Sequence, residues 1–346
     1  MANASPGAGY YRREPDTAVK IDADAPTPAD IETARRSVLR TEHPTPMILS
    51  PALSRRYGKQ VHLKLESLSP IRSFKHRGAL ASLSRLKADR DAVLVVTAST
   101  GNHGQGVAYA GTVLGIEVMV VAPTTALPEK VSAMRALGAQ VELAGSNLSE
   151  AQQIAQDLAA SSGGHYLEDG EDPALMAGAA TVMCEIIESE PAVECVILPV
   201  GGGNLIAGSL LACEHWSPTT TIIGVQSTAA PAVTVSWLAG RVEERACTTF
   251  AGGLATERPG HLALGVMRRL LGQVVLVEES DLYRAVALGL KQTGCLMEGA
   301  AAAPLAALEA HVDAITADAI ALVVTGSWIS SGQLTNALAH AGTRST

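Results

Sequence analysis

The chain has 346 residues, of which 47% are hydrophobic, 17% charged and only 3% aromatic, and its formal net charge is -8 at pH 7. This length predicts two domains, or one large domain that contains a smaller one. The net negative charge is mild, and the sequence has no clusters of basic residues. Both features argue against nucleic acid or a membrane as partner and favour a small-molecule ligand. The five cysteines fit neither disulfides nor zinc, and no apolar run suits a signal peptide or membrane span, so we expect a cytoplasmic protein.

Along the chain, an N-terminal arm is followed by alternating helix and strand patterns. Residues 1–26, rich in Ala, Pro and Asp, predict a loosely held flexible arm. Thr27, Pro28 and Asp30 form a helix-start pattern, and we expect that helix to end near Leu39. Beyond it, short β-branched runs alternate with longer Ala- and Leu-rich stretches, as βα units around a parallel sheet do. The predicted strands are 61–66, 92–98, 116–121, 140–143, 195–200, 221–226, 274–277 and 320–325.

The first candidate site is the run SFKHRG at residues 73–78, which predicts the start of a helix. Lys75 lies there beside Arg72 and Arg77, and a cationic setting disfavours the ammonium form of a lysine. A neutral lysine amine is the nucleophile that Schiff-base chemistry requires. A solvated basic helix start is the alternative that this run alone leaves open.

The second candidate site is the run STGNHGQG at residues 99–106, between a predicted strand and a helix. Backbone amides at a helix N-terminus bind anions, and glycines let a ligand approach the backbone closely. The run therefore predicts a site for a carboxylate or a phosphate. A capped turn between strand and helix is the structural alternative.

The third candidate site is the run GGGN at residues 201–204, which again joins a predicted strand to a helix. Three successive glycines expose amides around one small volume, an arrangement that favours a phosphate. The run matches neither the GxGxxG pattern nor the phosphate loop of nucleotide-binding proteins. Thr325, at the end of a predicted strand, is a fourth candidate, because ligands of open α/β sheets gather at the carboxyl ends of strands. A helix cap is its alternative role.

In this order the four stretches resemble the fold-type II pyridoxal-phosphate (PLP) enzymes, most closely the threonine/serine dehydratase and serine racemase branch. The resemblance runs from about Thr41 to about Thr325. It implies an α/β fold with two domains, each a mostly parallel sheet flanked by helices. The large, PLP-binding domain would comprise residues 27–93 and 168–346, and the small inserted domain residues 94–167. The other motifs that carry the resemblance are HPTP at 43–46, LKLE at 63–66, KV at 130–131, GA at 138–139, EDP at 171–173, GLA at 253–255 and MEGA at 297–300.

The resemblance also implies roles for individual residues. Lys75 would carry PLP as a Schiff base and act as the catalytic base, and Thr100 is a second catalytic candidate. The glycine run would hold the cofactor phosphate, Asn102 the pyridine hydroxyl and Thr325 the ring nitrogen. The implied cofactor-binding residues are Phe74, Lys75, Asn102, Gly201, Gly202, Gly203, Asn204, Glu298 and Thr325. The implied substrate-binding residues are Ser99, Thr100, Gly101, Asn102 and His103.

The implied function is that of a PLP-dependent lyase, a dehydratase or ammonia-lyase. It would convert a β-hydroxy amino acid such as threonine or serine to a 2-oxo acid and ammonia by α,β-elimination, because a neutral hydroxyl at the ring nitrogen favours elimination over transamination. PLP-dependent β-replacement and racemisation of a serine-like amino acid are alternatives, and a non-catalytic PLP-binding protein is a third. A homodimer is implied by the family alone.

Several residues depart from the family pattern. Gln226 and Ala232 stand where serine racemase relatives place acidic ligands of a divalent cation, so we expect no metal site. Gly252 replaces the usual aspartate before the GLA motif, and Trp328 replaces an asparagine; both changes leave the exact substrate open. Arg72 and His43 could favour an acidic or larger substrate, with a structural role as the alternative.

Overall fold

The computed structural model describes residues 6–89 and 94–340, which form an α/β fold with two separate sheets. In this part of the chain the strands are β1 (Gly9–Arg12), β2 (Met47–Leu49), β3 (Gln60–Leu65), β4 (Val95–Ala98), β5 (Val118–Ala122), β6 (Gln140–Leu143), β7 (His165–Tyr166), β8 (Cys195–Pro199), β9 (Thr221–Ser227), β10 (Gln273–Val277) and β11 (Ala319–Val324). The helices are α1 (Pro28–Leu39), α2 (Pro51–Tyr57), α3 (Lys75–Asp89), α4 (Asn102–Leu114), α5 (Pro128–Ala136), α6 (Leu148–Ser162), α7 (Pro173–Ser189), α8 (Asn204–Trp216), α9 (Ala232–Ala239), α10 (His261–Leu270), α11 (Glu279–Thr293), α12 (Gly299–His311) and α13 (Ser331–His340), with short 3-10 turns at Glu66–Leu68 and Val312–Ala314.

The larger sheet has seven strands in the order β1-β10-β9-β8-β11-β3-β2, and the smaller has four in the order β6-β5-β4-β7. All neighbours in the smaller sheet are parallel. In the larger sheet only the two edge strands, β1 and β2, run antiparallel to their neighbours. The mostly parallel α/β fold predicted from the alternating pattern is confirmed.

Every strand predicted from the sequence occurs, with ends shifted by up to a few residues. For the strand predicted at 92–98, the structure has β4 at Val95–Ala98, and residues 90–93 lie outside the described part of the chain. The predicted first helix is α1, where Thr27 Oγ1 accepts the Asp30 amide at 3.3 Å and the Asp30 carboxylate accepts the Thr27 amide at 2.9 Å. These reciprocal bonds satisfy two amides that the helix itself leaves unpaired.

The prediction of a loosely held arm at residues 1–26 needs correction for one segment. Gly9–Arg12 forms strand β1, in which Tyr10 pairs with Val275 of β10. The Tyr10 hydroxyl also donates to the Gln273 side chain. Composition did not indicate this strand because its pairing partner lies more than two hundred and fifty residues away in the sequence. Residues 1–5 lie outside the described part of the chain.

The central strands of the larger sheet position the ligand-binding loops. Strands β8 and β11 are buried along their whole length, as expected for parallel strands covered by helices on both faces. Because β8, β11 and β3 are adjacent and parallel, their carboxyl ends meet at one edge of the sheet. The glycine run 201–203 follows β8 and Thr325 follows β11, so two of the predicted sites share that edge.

Helix α3, which begins at Lys75, is held in place by a buried ion network. Arg77 is completely buried and makes a two-bond contact with Glu66, at 2.7 and 3.0 Å. It also donates to both carboxylate oxygens of Glu185 on α7, at 2.5 and 2.8 Å. Lys64 Nζ completes the network with bonds to Glu185 at 2.5 Å and to the Thr45 carbonyl at 2.7 Å. We call Arg77, Glu66, Glu185, Lys64 and Thr45 the Arg77 network.

Close helix packing reinforces this network. A methyl group on Gly78 of α3 would lie 2.7 Å from the Leu175 carbonyl oxygen, and one on Gly178 of α7 would lie 2.4 Å from the Arg77 carbonyl oxygen. Since real side-chain carbons do not approach so closely, only glycine at these two positions lets the backbones of α3 and α7 touch. That contact brings Arg77 within reach of Glu185.

The Arg77→Met variant tests the network. It should reduce the free energy of unfolding by about 3–5 kcal/mol, because two buried carboxylates would lose their main partner. Arg269→Met, which breaks the exposed Arg269–Glu214 pair at 3.3 Å, is the matched control and should cost about 1 kcal/mol or less. Urea unfolding of both variants measures the difference. Equal losses would mean that the buried network does not anchor α3.

Candidate active site at the start of helix α3

Lys75 is the first residue of α3, and its ammonium group lies 2.5 Å from Asp169 Oδ2. Its backbone packs against α4, where a methyl group on Gly106 would lie 2.8 Å from the Lys75 carbonyl. Both members of the pair remain partly accessible, with side chains 24% and 35% exposed. Lys75 therefore combines a fixed backbone with a side-chain nitrogen that a ligand can reach.

The predicted cationic setting of Lys75 is wrong. Arg77 turns into the interior, where Glu66 and Glu185 neutralise it. Burial alone would raise the pKa of Glu66, but Arg77 and Lys64 bring it down to about 2. The group that faces Lys75 is a carboxylate, so the alternative of a solvated basic helix start does not hold either.

Asp169 links three candidate residues, although sequence reasoning did not identify it. One carboxylate oxygen binds Lys75, the other accepts a bond from Asn204 Nδ2 at 3.2 Å, and His103 Nδ1 lies 3.8 Å away. Burial acts to raise the pKa of Asp169, but Lys75, His103 and Asn204 together hold it below the usual range of aspartate. Asp169 is thus an anion that connects Lys75 to the end of the glycine run. The acidic stretch between β7 and α7 was its only signal in the sequence.

His103 is buried in the first turn of α4 and is held by Thr97. The Thr97 hydroxyl donates to the Leu167 carbonyl at 2.7 Å, so it accepts from His103 Nε2 at 3.0 Å. This arrangement leaves Nδ1 of a neutral imidazole facing Asp169. Burial lowers the pKa of His103, the nearby Asp169 opposes that shift, and Lys75 adds to it.

The predicted anion-binding run after β4 is organised by Ser99. Its hydroxyl oxygen accepts the amides of Gly101 at 3.0 Å and Gly104 at 2.9 Å. The amides of Asn102 and His103 have no acceptor among the described residues and are the ones left for a carboxylate. Contact of Ser99 and Gly101 with a substrate remains a prediction. Thr100 is exposed at the tip of this loop.

The glycine run after β8 has backbone amides that are free to bind a ligand. The amides of residues 201–203 find no acceptor in the described part of the chain. A methyl group on Gly201 would lie 2.5 Å from the Gly253 carbonyl oxygen, and Gly203 has a φ of 110° that disfavours other residues. On Gly202 such a group would meet nothing within 4 Å, so the space beside its Cα is open. Residues 201–203 therefore offer unpaired donors around a cradle that side chains would close.

Asn102 and Glu298 meet on the other side of the candidate site. Asn102 Nδ2 donates to Glu298 Oε1 at 2.9 Å. The buried Oδ1 atoms of Asn102 and Asn204 have no hydrogen-bond partner among residues 6–89 and 94–340. Burial raises the pKa of Glu298. Thr325 is buried, and its carbonyl accepts the Phe74 amide at 3.2 Å. The unpaired buried oxygens and the phosphate cradle fit a polar, phosphate-bearing cofactor such as PLP.

Arg72, a candidate for substrate choice, lies against Trp328, which departs from the family pattern. The Arg72 guanidinium stacks 3.5 Å from the centre of the Trp328 ring, whose Nε1 donates to the Ile71 carbonyl at 2.9 Å. Arg72 has a φ of 56°, a conformation that costs about 1–3 kcal/mol for a residue other than glycine. His43 is exposed. The proposed effects of Arg72 and His43 on substrate choice remain predictions.

Gln226 and Ala232, which stand where the family resemblance places cation ligands, make contacts within the protein. Gln226 Oε1 accepts the Thr234 amide at 2.7 Å and its hydroxyl at 2.8 Å, and Ala232 is buried. Within residues 6–89 and 94–340 no cluster of three or more His, Cys, Asp or Glu side chains could hold a metal ion. In the same ranges no helix is long and apolar enough to cross a membrane.

Comparisons with known proteins identify relatives over most of the chain. The family model described as pyridoxal-phosphate dependent enzyme matches residues 38–326. The L-threonine ammonia-lyase of Thermotoga maritima is 35% identical over 298 residues, 86% of this chain and 74% of that protein. The L-threonine ammonia-lyase of Geobacter sulfurreducens is 38% identical over 275 residues, 79% of this chain and 67% of that protein. The solved structure of processed threonine deaminase isoform 2 from Solanum lycopersicum has a TM-score of 0.84 at 29% identity, covering 96% of this chain and 99% of that one.

The buried histidines predict how stability depends on pH. Burial lowers the pKa of His76 and of His103 below 6.5, so below that pH the unfolded chain binds protons that the folded chain does not. Stability present at neutral pH is therefore lost as the pH falls through about 6.5. Glu298 acts with the opposite sign, because its raised pKa gives stability at acidic pH that is lost as the pH rises.

His76→Gln separates these contributions. The variant should show a smaller loss of unfolding free energy between pH 7 and pH 5 than the parent, by urea unfolding at each pH. His261→Gln, at an exposed position, is the control and should follow the parent. Parallel curves for parent and His76→Gln would refute the assignment.

Proposed function

This chain belongs to the family of pyridoxal-phosphate dependent enzymes and is a lyase of that family, and we propose that it removes the β-hydroxyl and amino groups of a β-hydroxy amino acid. The products would be a 2-oxo acid and ammonia. The names of the relatives, L-threonine ammonia-lyase among them, support this reaction class. The observation that carries the proposal is the Asp169 carboxylate, which connects Lys75 Nζ at 2.5 Å with Asn204 Nδ2 at 3.2 Å. It brings the proposed cofactor-linking amine next to the proposed phosphate cradle.

Separate groups of residues would bind the different parts of the cofactor. Lys75 would hold the cofactor covalently, with Phe74 beside it, and residues 201–204 would bind its phosphate. Asn102 and Thr325 would contact the pyridine ring, with Glu298 behind Asn102. When bound, PLP supplies an electron sink for the pair released at the substrate Cα.

The substrate would be held and deprotonated by groups on opposite sides of the cleft. Its carboxylate would bind the free amides of Asn102 and His103, as anions do at a helix N-terminus. Lys75, once released from the cofactor, would take the Cα proton on Nζ. The adjacent Asp169 would stabilise the ammonium formed in that step, since the two groups already form an ion pair.

Racemisation is the second candidate because of Thr100. Its side chain is exposed at the tip of the loop after β4, where a hydroxyl could exchange a proton on the side away from Lys75. Elimination and racemisation are distinguished by assaying 2-oxo acid release and loss of optical activity together. Adding a thiol nucleophile to the same assay detects β-replacement. Formation of 2-oxo acid as the main product supports elimination.

Four further features belong to the proposal. We propose a large domain at residues 27–93 and 168–346 and an inserted domain at 94–167, each built on one sheet; residues 90–93 lie outside the described part of the chain. We propose a homodimer, which sedimentation can test, and a cytoplasmic location, which fits five free cysteines. We also propose that no divalent cation is needed, so activity should survive chelation.

Lys75→Ala tests the assignment of the cofactor-linking lysine. It should lose the visible absorbance of the enzyme-bound cofactor and reduce 2-oxo acid release from threonine or serine by about 10³-fold or more. Lys291→Ala, on the exposed side of α11, should keep both. Retention of absorbance and turnover by Lys75→Ala would overturn the assignment.

Asp169→Asn tests the role of the ion pair. Because the carboxylate stabilises the protonated amine, its loss should speed the covalent capture of added PLP by apoenzyme at neutral pH. The same change should lower kcat, since the ammonium formed after proton abstraction would lose its partner. Stopped-flow absorbance and steady-state kinetics measure the two effects. Slower capture, or an unchanged kcat, would contradict this role.

A further inference from the structure

Lys130 places a second ammonium group at the candidate active site. It lies in the first turn of α5, where the helix dipole disfavours a cation. Its side chain crosses the backbone of Gly101: a methyl group there would lie 2.6 Å from Lys130 Cδ and 2.9 Å from Nζ. Gly101 has a φ of 176° and a ψ of -104°, and its lack of a side chain leaves room for the end of the Lys130 side chain.

No carboxylate within the described residues forms an ion pair with Lys130. On the far side of its ammonium group lies Gly252, where an added methyl group would be 4.0 Å from Nζ and would meet no closer atom. A carboxylate side chain at this position could reach Lys130. Glycine supplies no such counter-ion and leaves open space beside the ammonium group.

The two nearby acidic residues, Glu298 and Asp169, form hydrogen bonds with groups other than Lys130. Glu298 is committed to Asn102 at 2.9 Å. Burial raises the pKa of Glu298, although Lys130, Asn102 and Arg72 oppose the shift. Asp169 is committed to Lys75 and Asn204. The Lys130 ammonium group therefore forms no ion pair with a carboxylate of the described residues on this wall of the site.

We propose that Lys130 binds a second carboxylate on the substrate, which makes the substrate class an acidic β-hydroxy amino acid such as 3-hydroxyaspartate. The inference rests on the proposed function. The α-carboxylate would bind the amides of Asn102 and His103, and Lys130 crosses Gly101 in the same loop. A carboxylate on the substrate Cβ would then occupy the space beside Gly252 and pair with the ammonium group.

The reaction balances without an added oxidant or reductant. The Cα–H and Cβ–O bonds break and one water leaves. Hydrolysis of the released enamine takes up one water and frees ammonia. 3-Hydroxyaspartate thus gives an oxo-dicarboxylic acid of the same carbon number and ammonia, with no net redox change.

The first test compares substrates on the PLP-loaded enzyme. kcat/KM for threo- and erythro-3-hydroxyaspartate should exceed that for threonine and serine by about tenfold or more for the better isomer, since a partly buried charge pair contributes on that scale. Lys130→Met should lower this preference ratio by about tenfold or more, mainly through KM for hydroxyaspartate. Lys130→Arg, which keeps the charge, should retain most of the ratio. Lys291→Met is the control and should leave it unchanged.

The second test restores the counter-ion within the protein. Gly252 does not have a positive φ, so Gly252→Asp introduces no backbone strain and should lower the ratio by about tenfold by pairing with Lys130. Gly252→Asn introduces a side chain of the same size without the charge, and its preference ratio should stay near that of the parent. Calorimetry gives a readout independent of turnover: succinate should bind the parent and Gly252→Asn, and bind Lys130→Met and Gly252→Asp about tenfold more weakly or not at all.

The outcomes separate this inference from the proposed function. Turnover of threonine with no preference for hydroxyaspartate, or equal effects of Gly252→Asp and Gly252→Asn, would overturn the role of Lys130 and leave the lyase assignment standing. Absence of turnover for all four amino acids would overturn the proposed reaction, while succinate binding would still decide whether Lys130 holds a carboxylate.

Discussion

The buried bond between Arg77 and its two carboxylate partners is the constraint on which the candidate site depends. It joins the end of β3, through Glu66, to α7, through Glu185, and it fixes the first turn of the helix that begins at Lys75. An unpaired charge in this interior would be very costly, so the three side chains can be satisfied only together. The lysine two positions earlier is thereby presented to the cleft while its neighbour Arg77 is held inside.

Close backbone approaches carry this placement to the rest of the site. Gly106 lets α4 rest on the backbone of Lys75, and Gly101 lets Lys130 cross the loop that α4 follows. Lys75 and Asp169 form an ion pair, whereas Lys130 forms none with a carboxylate of the described residues. The balanced pair suits reversible proton transfer, and the unbalanced ammonium group suits recognition of an anion. In the proposed mechanism, catalysis and substrate choice would therefore depend on different cations, Lys75 and Lys130.

Much of this could be predicted from local patterns. The central strands are continuous apolar runs, which predicts buried parallel strands. The glycine run at 201–203 follows one of these runs, so its place at a strand end could be predicted from the sequence. The edge strand Gly9–Arg12 was missed because it depends on a partner distant in sequence. Asp169 and the true surroundings of Arg77 were missed for the same reason, since their partners come from other elements. A charge pattern along the chain cannot tell which charged groups are neutralised across the fold.

The central claim is that Lys75 carries the cofactor. Reduction of the PLP-loaded enzyme with borohydride, followed by peptide mass spectrometry, tests it directly, because reduction makes the link between lysine and cofactor permanent. A single modified peptide should contain the pyridoxyl group on Lys75. Modification of Lys130 instead, or no modified peptide from enzyme that had retained PLP, would contradict the assignment of the active site.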